Sequence, residues 1–245
     1  MSRRGTRGLT FELGHTWSRA RGNASNAFEE NGWNGDIQDV TKLDQEAKSL
    51  VGIDLTHVFK GYVSYELPLG EGRRFLADAS GLLNALVGGW TIAGIVNYQS
   101  GRPIPIVSNN WYQVWSGTIY ANVDPNGDFE RQFDADNFDA ANPDAPGNRY
   151  FDPASFSNPP YGELGSGPRL QPELRDFGYL REDVSLLKNF RIGHVRLQVR
   201  AEFYNVFNRH YFNTPETDIN SPFFGHVTSV GGNPRTGQLG LRVDW

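Results

Sequence analysis

The fold is decided by the stretch "REDVSLLKNFRIGHVRLQVRAEFYNVF", residues 181–207, in which apolar and polar residues alternate on both sides of a glycine. Alternation with a period of two is typical of a β-strand that meets an apolar phase on one face and water on the other. The two alternating runs are joined only by Gly193 and His194. Because glycine readily takes the positive φ of a type II′ turn, the stretch predicts an antiparallel hairpin.

Pairing outward from this turn puts the apolar residues of both runs on one face. The expected partners are Ile192 with Val195, Phe190 with Leu197, Leu186 with Ala201, and Val184 with Phe203. A slip by one residue would move Arg200 and Glu202 into the apolar phase, so the register is well specified. Lys188 is the exception on the apolar face, and we expect its amine to snorkel to the boundary of that phase.

Four further segments alternate in the same way, at residues 8–18, 57–69, 89–101 and 237–245. Each has about the 9 to 11 residues that cross a bilayer at a tilt, and aromatic residues lie near the segment ends, as in interfacial girdles. The last segment ends on Trp245 and carries Leu239, Leu241 and Val243 on its apolar face.

Long polar connections alternate with shorter ones along the chain. The long connections cover residues 21–56, 107–180 and 213–235, and the others are the two-residue turn and the stretch at residues 70–88. Loops of the first size are uncommon in a compact soluble domain, whereas outer-membrane barrels alternate long extracellular loops with short periplasmic turns. The sequence therefore predicts an all-β fold, a portion of an antiparallel up-and-down transmembrane β-barrel with about six strands.

Composition leaves two classes open and excludes others. The chain is 38% apolar with a mean hydropathy of -0.52, yet 13% of its residues are aromatic. This suits an outer-membrane barrel or, as the alternative, a soluble or secreted β-sandwich that binds carbohydrate. The net charge of -5 comes from scattered charges of both signs, so no nucleic-acid partner is expected. The chain has no cysteine, which excludes a disulfide scaffold and thiolate metal sites.

Five blocks of sequence carry a resemblance to a known family. They are "GLTFELGHTWSRARGNAS", "HVFKGYVSYELPLGEGRRFL", "ALVGGWTIAGIVNYQSGRPIPI", "DVSLLKNFRI" and "LQVRAEFYNVFNRHYFNTP". In this order they resemble the last strands and turns of TonB-dependent outer-membrane receptors, of the type with a carboxypeptidase-regulatory-like domain. The match leaves out the loop at residues 109–178. The resemblance implies a barrel of about 22 strands around an N-terminal plug.

The resemblance also implies which part of such a receptor is present. Residues 1–245 correspond to the C-terminal part of the barrel, residues 107–180 form a long extracellular loop within it, and the plug and earlier strands have no counterpart. Residues 1–8 read as a periplasmic turn, which favours a gene truncated upstream. Six strands leave two unpaired edges, so we expect the fragment to be inactive alone in the outer membrane.

Several partners follow from the resemblance. They are outer-membrane lipid, the barrel-assembly machinery, the missing N-terminal barrel and plug, and the energy-transducing inner-membrane complex that acts through the plug. The family's assembly signal would be the apolar row of the last strand, Leu239, Leu241, Val243 and Trp245. The transported substrate is open, since a siderophore, a glycan and a peptide all fit a large lumen.

Candidate ligand contacts come from two groups of side chains. Charged residues on the polar face of the last strands could line a substrate path or satisfy one another, and they are Arg196, Arg200, Glu202 and Arg242. Aromatic residues of the long loop could stack on a ligand or pack the loops into a lid, and they are Trp111, Tyr112, Trp115, Tyr120 and Tyr150. The sequence leaves both choices open.

Catalytic and metal motifs are not found in the sequence. The five histidines lack zinc spacing, and the chain has no HExxH motif, P-loop or nucleophile elbow, so we expect no enzyme and no cofactor. The acidic run at residues 124–144 offers oxygen ligands that suit calcium. Its spacing departs from the EF-hand template, so a solvated loop is the favoured interpretation.

Overall fold

The computed structural model describes residues 2–4, 8–22, 37–46, 48–111 and 118–245. Its strands are β1 (Ser2–Arg4), β2 (Leu9–Trp17), β3 (His57–Glu66), β4 (Trp90–Gln99), β5 (Asn122–Val123), β6 (Phe156–Ser157), β7 (Tyr179–Ile192), β8 (Val195–Tyr204), β9 (Tyr211–Phe212), β10 (Val230–Gly231) and β11 (Thr236–Asp244). Its helices are α1 (Leu43–Glu46) and α2 (Gly81–Val87), with short 3₁₀ turns at Val40–Lys42, Ala135–Asn137, Pro146–Asn148 and Pro153–Ser155. Among the described residues, no helix has the length and apolarity needed to cross a membrane.

One antiparallel sheet of seven strands contains every long strand, in the order β1-β2-β3-β4-β7-β8-β11. Each strand pairs with the next long strand along the chain, which is the up-and-down topology that the alternating segments predicted. The interpretation of residues 1–8 as a turn is wrong for Ser2–Arg4, which form β1 and pair with Thr10–Glu12. Residues 5–7 lie outside the described residues.

The hairpin of β7 and β8 has the predicted register. Ile192 pairs with Val195, and the pairing continues without a slip to Val184 and Phe203. Gly193 has a φ of +62°, the positive value that the first central residue of a type II′ turn requires. Both the turn and the register are therefore confirmed.

The registers of the long strands place most of their apolar residues on one face, which we call the apolar face, although Val58, Ile95 and Leu187 lie on the opposite face and Glu182 lies among the apolar residues. It carries Leu9, Phe11, Leu13, Phe59, Val63, Tyr65, Trp90, Ile92, Val96, Tyr98, Val184, Leu186, Phe190, Leu197, Val199, Phe203, Leu239, Leu241 and Val243. The opposite face, the polar face, carries Thr10, Glu12, Lys60, Ser64, Asn97, Gln99, Arg181, Asp183, Arg196, Gln198, Arg200, Glu202, Gln238, Arg242 and Asp244.

The apolar face is largely exposed. Val199 is 38% exposed, Phe203 45%, Leu241 66% and Trp245 95%. In a β-sandwich this face would be buried against a second sheet. The alternative of a soluble β-sandwich is therefore wrong, because no second sheet in the described part of the chain covers these side chains.

The amine of Lys188 reaches the end of the apolar face near α2, but it is buried against protein groups rather than exposed to water. Its side chain lies on the apolar face, where the residue is only 5% exposed. The Nζ atom donates hydrogen bonds to the backbone carbonyls of Leu86, at 3.2 Å, and Gly88, and lies 5.0 Å from the ring centroids of Trp90 and Phe190. Carbonyl oxygens at the end of α2 thus take the place of water as hydrogen-bond acceptors for the buried amine.

The long connections gather at one end of the sheet and form a folded unit, which we call the cap. It comprises residues 205–235 and the described parts of residues 18–56 and 100–178. A hydrophobic core lies inside it, made of Ile104, Ile106, Ala121, Tyr150, Phe151, Phe156, Leu174, Phe224 and Val227. The pairs β5–β6 and β9–β10 belong to the cap. The short turn between β7 and β8 and helix α2 lie at the opposite end.

Candidate functional site

In the cap, an ion pair links the long connection that contains Asp54 to the one that contains Arg175. Asp54 is fully buried, and its Oδ2 accepts a hydrogen bond of 2.5 Å from Nη2 of Arg175. The other carboxylate oxygen accepts from the backbone N–H of Ala20, while Nη1 of Arg175 donates to the carbonyl oxygens of Asp54 and Gly101, at 3.2 Å each. Both oxygens of the buried carboxylate therefore have hydrogen-bond donors. Removal of either partner of this pair would destabilise the cap, because it would leave a group without its counter-charge.

The side chain of Gln38 links the same two connections by hydrogen bonds to backbone groups. Its side-chain amide donates to the carbonyl oxygen of Gly165 at 2.8 Å, and its Oε1 accepts from the backbone N–H of Tyr120 at 2.9 Å. Gly165 must be a glycine, since a Cβ there would lie 1.9 Å from the carbonyl oxygen of Tyr120. The cap is therefore held by specific polar contacts as well as by its core.

The acidic run at residues 124–144 shapes turns. A carboxylate oxygen of each of Asp124, Asp128, Asp134 and Asp139 accepts a hydrogen bond from the backbone N–H two residues further on. Such Asx turns give structure to a chain that has no strand periodicity. Hydrogen bonds from the side-chain amide of Asn137 and from the backbone N–H of Asp136 lower the pKa of Asp134. Within the described residues no group of three or more His, Cys, Asp or Glu side chains could hold a metal ion.

A cleft of about 1140 Å³ opens where β7, β8 and β11 meet the cap. Strand ends on the polar face supply Tyr179, Arg181, Tyr204 and Thr236. The cap supplies further lining residues, among them Arg131, Phe177, Asn205, Arg209, His210, Tyr211 and Phe212. The cleft thus combines aromatic rings with arginines, a composition that suits stacking and hydrogen bonding to a polar ligand.

Aromatic packing fixes the arginine on the cap side of the cleft. The guanidinium of Arg131 lies 4.3 Å from the ring centroid of Phe177 and 5.2 Å from that of Tyr150. Burial raises the pKa of Tyr150 to about 12, so its hydroxyl stays protonated and donates to the carbonyl oxygen of Arg175. On the sheet side, Nε of Arg181 donates to Asp183 at 2.9 Å.

Burial also affects an acidic residue beside the cleft. It raises the pKa of Asp176, although hydrogen bonds from the N–H of Phe177 and the hydroxyl of Thr214 work in the opposite direction. This carboxyl group therefore binds a proton more readily in the folded cap than in the unfolded chain.

The predicted loop aromatics separate into three groups. Tyr120 and Tyr150 are 0% and 2% exposed and pack inside the cap, a position that favours the lid interpretation over ligand stacking. Trp111 lies at the cap surface, where its indole N–H donates to the carbonyl oxygen of Glu163 at 3.0 Å. Tyr112 and Trp115 lie outside the described residues. Ligand contact by the loop aromatics stays a prediction.

The predicted lumen-facing charges all lie on the polar face. Arg200 forms an ion pair of 2.9 Å with Glu202, and Arg242 forms one of 3.0 Å with Asp244, each within its own strand. Gln238 donates across the strands to Glu202 at 2.6 Å. Arg196 lies opposite Asp244. Contact of these side chains with a substrate stays a prediction.

The last strand, β11, is an edge of the sheet and pairs with β8 along its whole length. Leu239, Leu241 and Val243 share the apolar face with Val199 and are 84%, 66% and 42% exposed. Their role as an assembly signal stays a prediction.

Most of the residues that line the cleft were not predicted from the sequence. The alternation of β7 and β8 could have placed Tyr179, Arg181 and Tyr204 on the polar face near the cap, because their positions follow from the register. Nothing in the sequence around Arg131 indicates that it would pack on Phe177, since the two residues are brought together by a connection without periodicity.

Comparison with known proteins agrees with this geometry. The model of a family described as an outer membrane beta barrel domain matches residues 1–238. No match to a curated protein or to a solved structure was found. Outer-membrane barrels carry long loops on the extracellular side and short turns on the periplasmic side, and this orientation for the cap and α2 stays a prediction. The chain belongs to the outer membrane beta barrel domain family and is located in the outer membrane.

Proposed function

We propose that this barrel segment is the C-terminal part of a TonB-dependent receptor that takes up a scarce substrate across the outer membrane. The observation that carries the proposal is the cleft between the cap and the polar face. A folded cap above a polar surface, with arginines and aromatic rings at their junction, is suited to capturing a polar solute at the barrel mouth.

The remaining parts of the receptor complete the proposal. The chain is inactive alone, because β1 and β11 end the sheet and unpaired backbone groups are costly in hydrocarbon. The N-terminal strands and the plug supply the missing edges, and the inner-membrane complex drives uptake through the plug. The role is transport rather than catalysis.

We also assign the apolar row of β11 to recognition by the barrel-assembly machinery. An exposed edge strand that is apolar on one face presents both side chains and backbone groups to a partner strand.

Uptake measurements in the native cell test the proposal. Deletion of the gene should abolish uptake of one class among labelled siderophores, glycans and peptides, and a protonophore should abolish the same uptake. Tyr179→Ala, which changes the cleft, should reduce that uptake several-fold. The control Tyr161→Ala, at a side chain 85% exposed and outside the cleft, should leave it unchanged. Uptake that continues with the protonophore would contradict active transport and favour a passive channel.

A further inference from the structure

The connection between β3 and β4 contains an apolar surface that the described part of the chain leaves exposed. Helix α2 has no acidic residue in its first turn and no basic residue in its last turn. Its leucines Leu82, Leu83 and Leu86 are 79%, 51% and 63% exposed. At helical spacing these three side chains share one side, while Asn84 points away from them and bonds to Glu71.

Hydrogen bonds fix the end of α2 beside the apolar face of the sheet. The indole N–H of Trp90 donates to the carbonyl oxygen of Leu86 at 2.9 Å, and the amine of Lys188 donates to the same oxygen at 3.2 Å. Both donors lie on the apolar face, where they pair with each other. The exposed leucines are therefore continuous with the surface that faces lipid.

The residues before α2 add groups that are typical of a membrane interface. Phe75 and Leu76 are each 52% exposed, and the guanidinium of Arg74 lies 5.3 Å from the ring centroid of Phe75. Arg73 bridges to Glu66 at 3.3 Å. Arginines beside apolar side chains place positive charge at the level of the lipid phosphates.

We propose that residues 73–87 form an interfacial anchor that lies in the periplasmic leaflet of the outer membrane. The occupant of the apolar surface is the phospholipid of that leaflet. The leucines of α2 and the side chains of Phe75 and Leu76 enter the boundary between headgroups and acyl chains, in the manner of an amphipathic helix that lies along a membrane. Arg74 contacts the phosphate groups. The anchor holds the periplasmic end of β3 and β4 at a fixed depth.

Fluorescent labels can test the anchor directly, because residues 1–245 contain no cysteine and any cysteine elsewhere in the complete receptor can be replaced by serine. The complete receptor carries a single cysteine in place of Leu82, labelled with an environment-sensitive fluorophore, in nanodiscs of phosphatidylethanolamine and phosphatidylglycerol that hold one copy each. Glu71→Cys is the control, because Glu71 is exposed and bonds to Asn84, whose side chain points away from the leucines. Leu241→Cys reports the lipid-facing band. Heat-modifiable migration verifies that each labelled protein is folded.

The label at Leu82 should show blue-shifted emission and quenching by lipids that carry a spin label near the headgroup. The label at Glu71 should be quenched mainly by iodide in the water. If Leu241 is quenched by the lipids and Leu82 behaves like Glu71, the anchor is refuted and the barrel assignment stands. If neither Leu82 nor Leu241 is quenched by lipids, the anchor and the lipid-facing band both fail. The single copy in each disc excludes burial of Leu82 against a second copy.

Discussion

Leu186 and Leu187 are neighbours in β7, yet they face opposite sides of the sheet. Leu186 lies between Ile92 and Ala201 on the apolar face, and Leu187 lies between Thr91 and Arg200 on the polar face. Two identical residues at adjacent positions therefore meet two different solvents, which makes them a matched pair for substitution.

Leu186→Asp should hinder insertion far more than Leu187→Asp. The first carboxylate meets acyl chains at a cost of about 2 kcal/mol, whereas the second meets the lumen beside a guanidinium. The measurement is the folded fraction in isolated outer membranes, from heat-modifiable migration. Equal folded fractions for the two variants would show that the faces are assigned wrongly.

Asp176→Asn should stabilise the cap, and the gain should increase with pH. Because burial raises the pKa of Asp176, the folded cap retains a proton that the unfolded chain loses near the ordinary pKa of 3.8. The stabilisation from that proton is complete below 3.8 and is lost as the pH rises through the raised value. The asparagine stays neutral throughout and keeps an oxygen for the N–H of Phe177.

Hydrogen exchange of residues 100–178 measures this prediction between pH 4 and pH 8. The difference in protection between the variant and the wild type should grow from pH 4 upward and become constant above the raised pKa of Asp176. A difference that does not change with pH would mean that the carboxyl group titrates normally in the cap.

The elements differ in how well the sequence predicts them. The long strands were predicted within a few residues, since each has one face in lipid and one in water and the alternation follows from that. Packing of the loops into a lid was one of two choices that the sequence left open. The contacts inside the cap were not predicted, because they join residues far apart in the chain, such as Gln38 with Gly165 and Asp54 with Arg175. The position of helix α2 beside the apolar face depends on hydrogen bonds from the side chains of Trp90 and Lys188 to the carbonyl oxygen of Leu86. No local sequence pattern indicates these bonds.

Of the candidate site, the sequence predicted the charged residues of the polar face but not the cleft. Arg200 and Arg242 lie in strands whose residues alternate with a period of two, so the sequence predicts that their side chains lie on the polar face. Tyr120 was a candidate ligand contact because aromatic loop residues often bind ligands, and only the folded cap reveals that its ring is buried.

Asp54→Ala should lower the stability of the folded cap. Removal of the carboxylate leaves the guanidinium of Arg175 without its buried partner, at a cost of about 3 kcal/mol. Lys42→Ala is the control in the same connection, because its ion pair with Asp39 is exposed on the lysine side and contributes about 0.5 kcal/mol. Limited proteolysis on whole cells should cleave the cap faster only in the first variant. Equal cleavage of both variants would mean that the core alone holds the cap.

At the scale of the whole molecule, we expect the two edges of the sheet to govern assembly. β11 presents Leu241 toward lipid and Arg242 toward the lumen at adjacent positions. Leu241→Asn should therefore slow delivery of the receptor into the outer membrane, while Arg242→Asn should not. Pulse-chase labelling measures the rate, and a similar delay in both variants would contradict recognition of the apolar row.

The central claim is that the two faces of the sheet meet lipid and water, and a spin-label scan of β8 tests it most directly. Single cysteines at residues 195–204 of the complete receptor in bilayers report collision with oxygen and with a water-soluble nickel complex. We predict that Val195, Leu197, Val199, Ala201 and Phe203 favour oxygen, and that the residues between them favour nickel. A scan without this alternation, or with its phase reversed, would contradict the account.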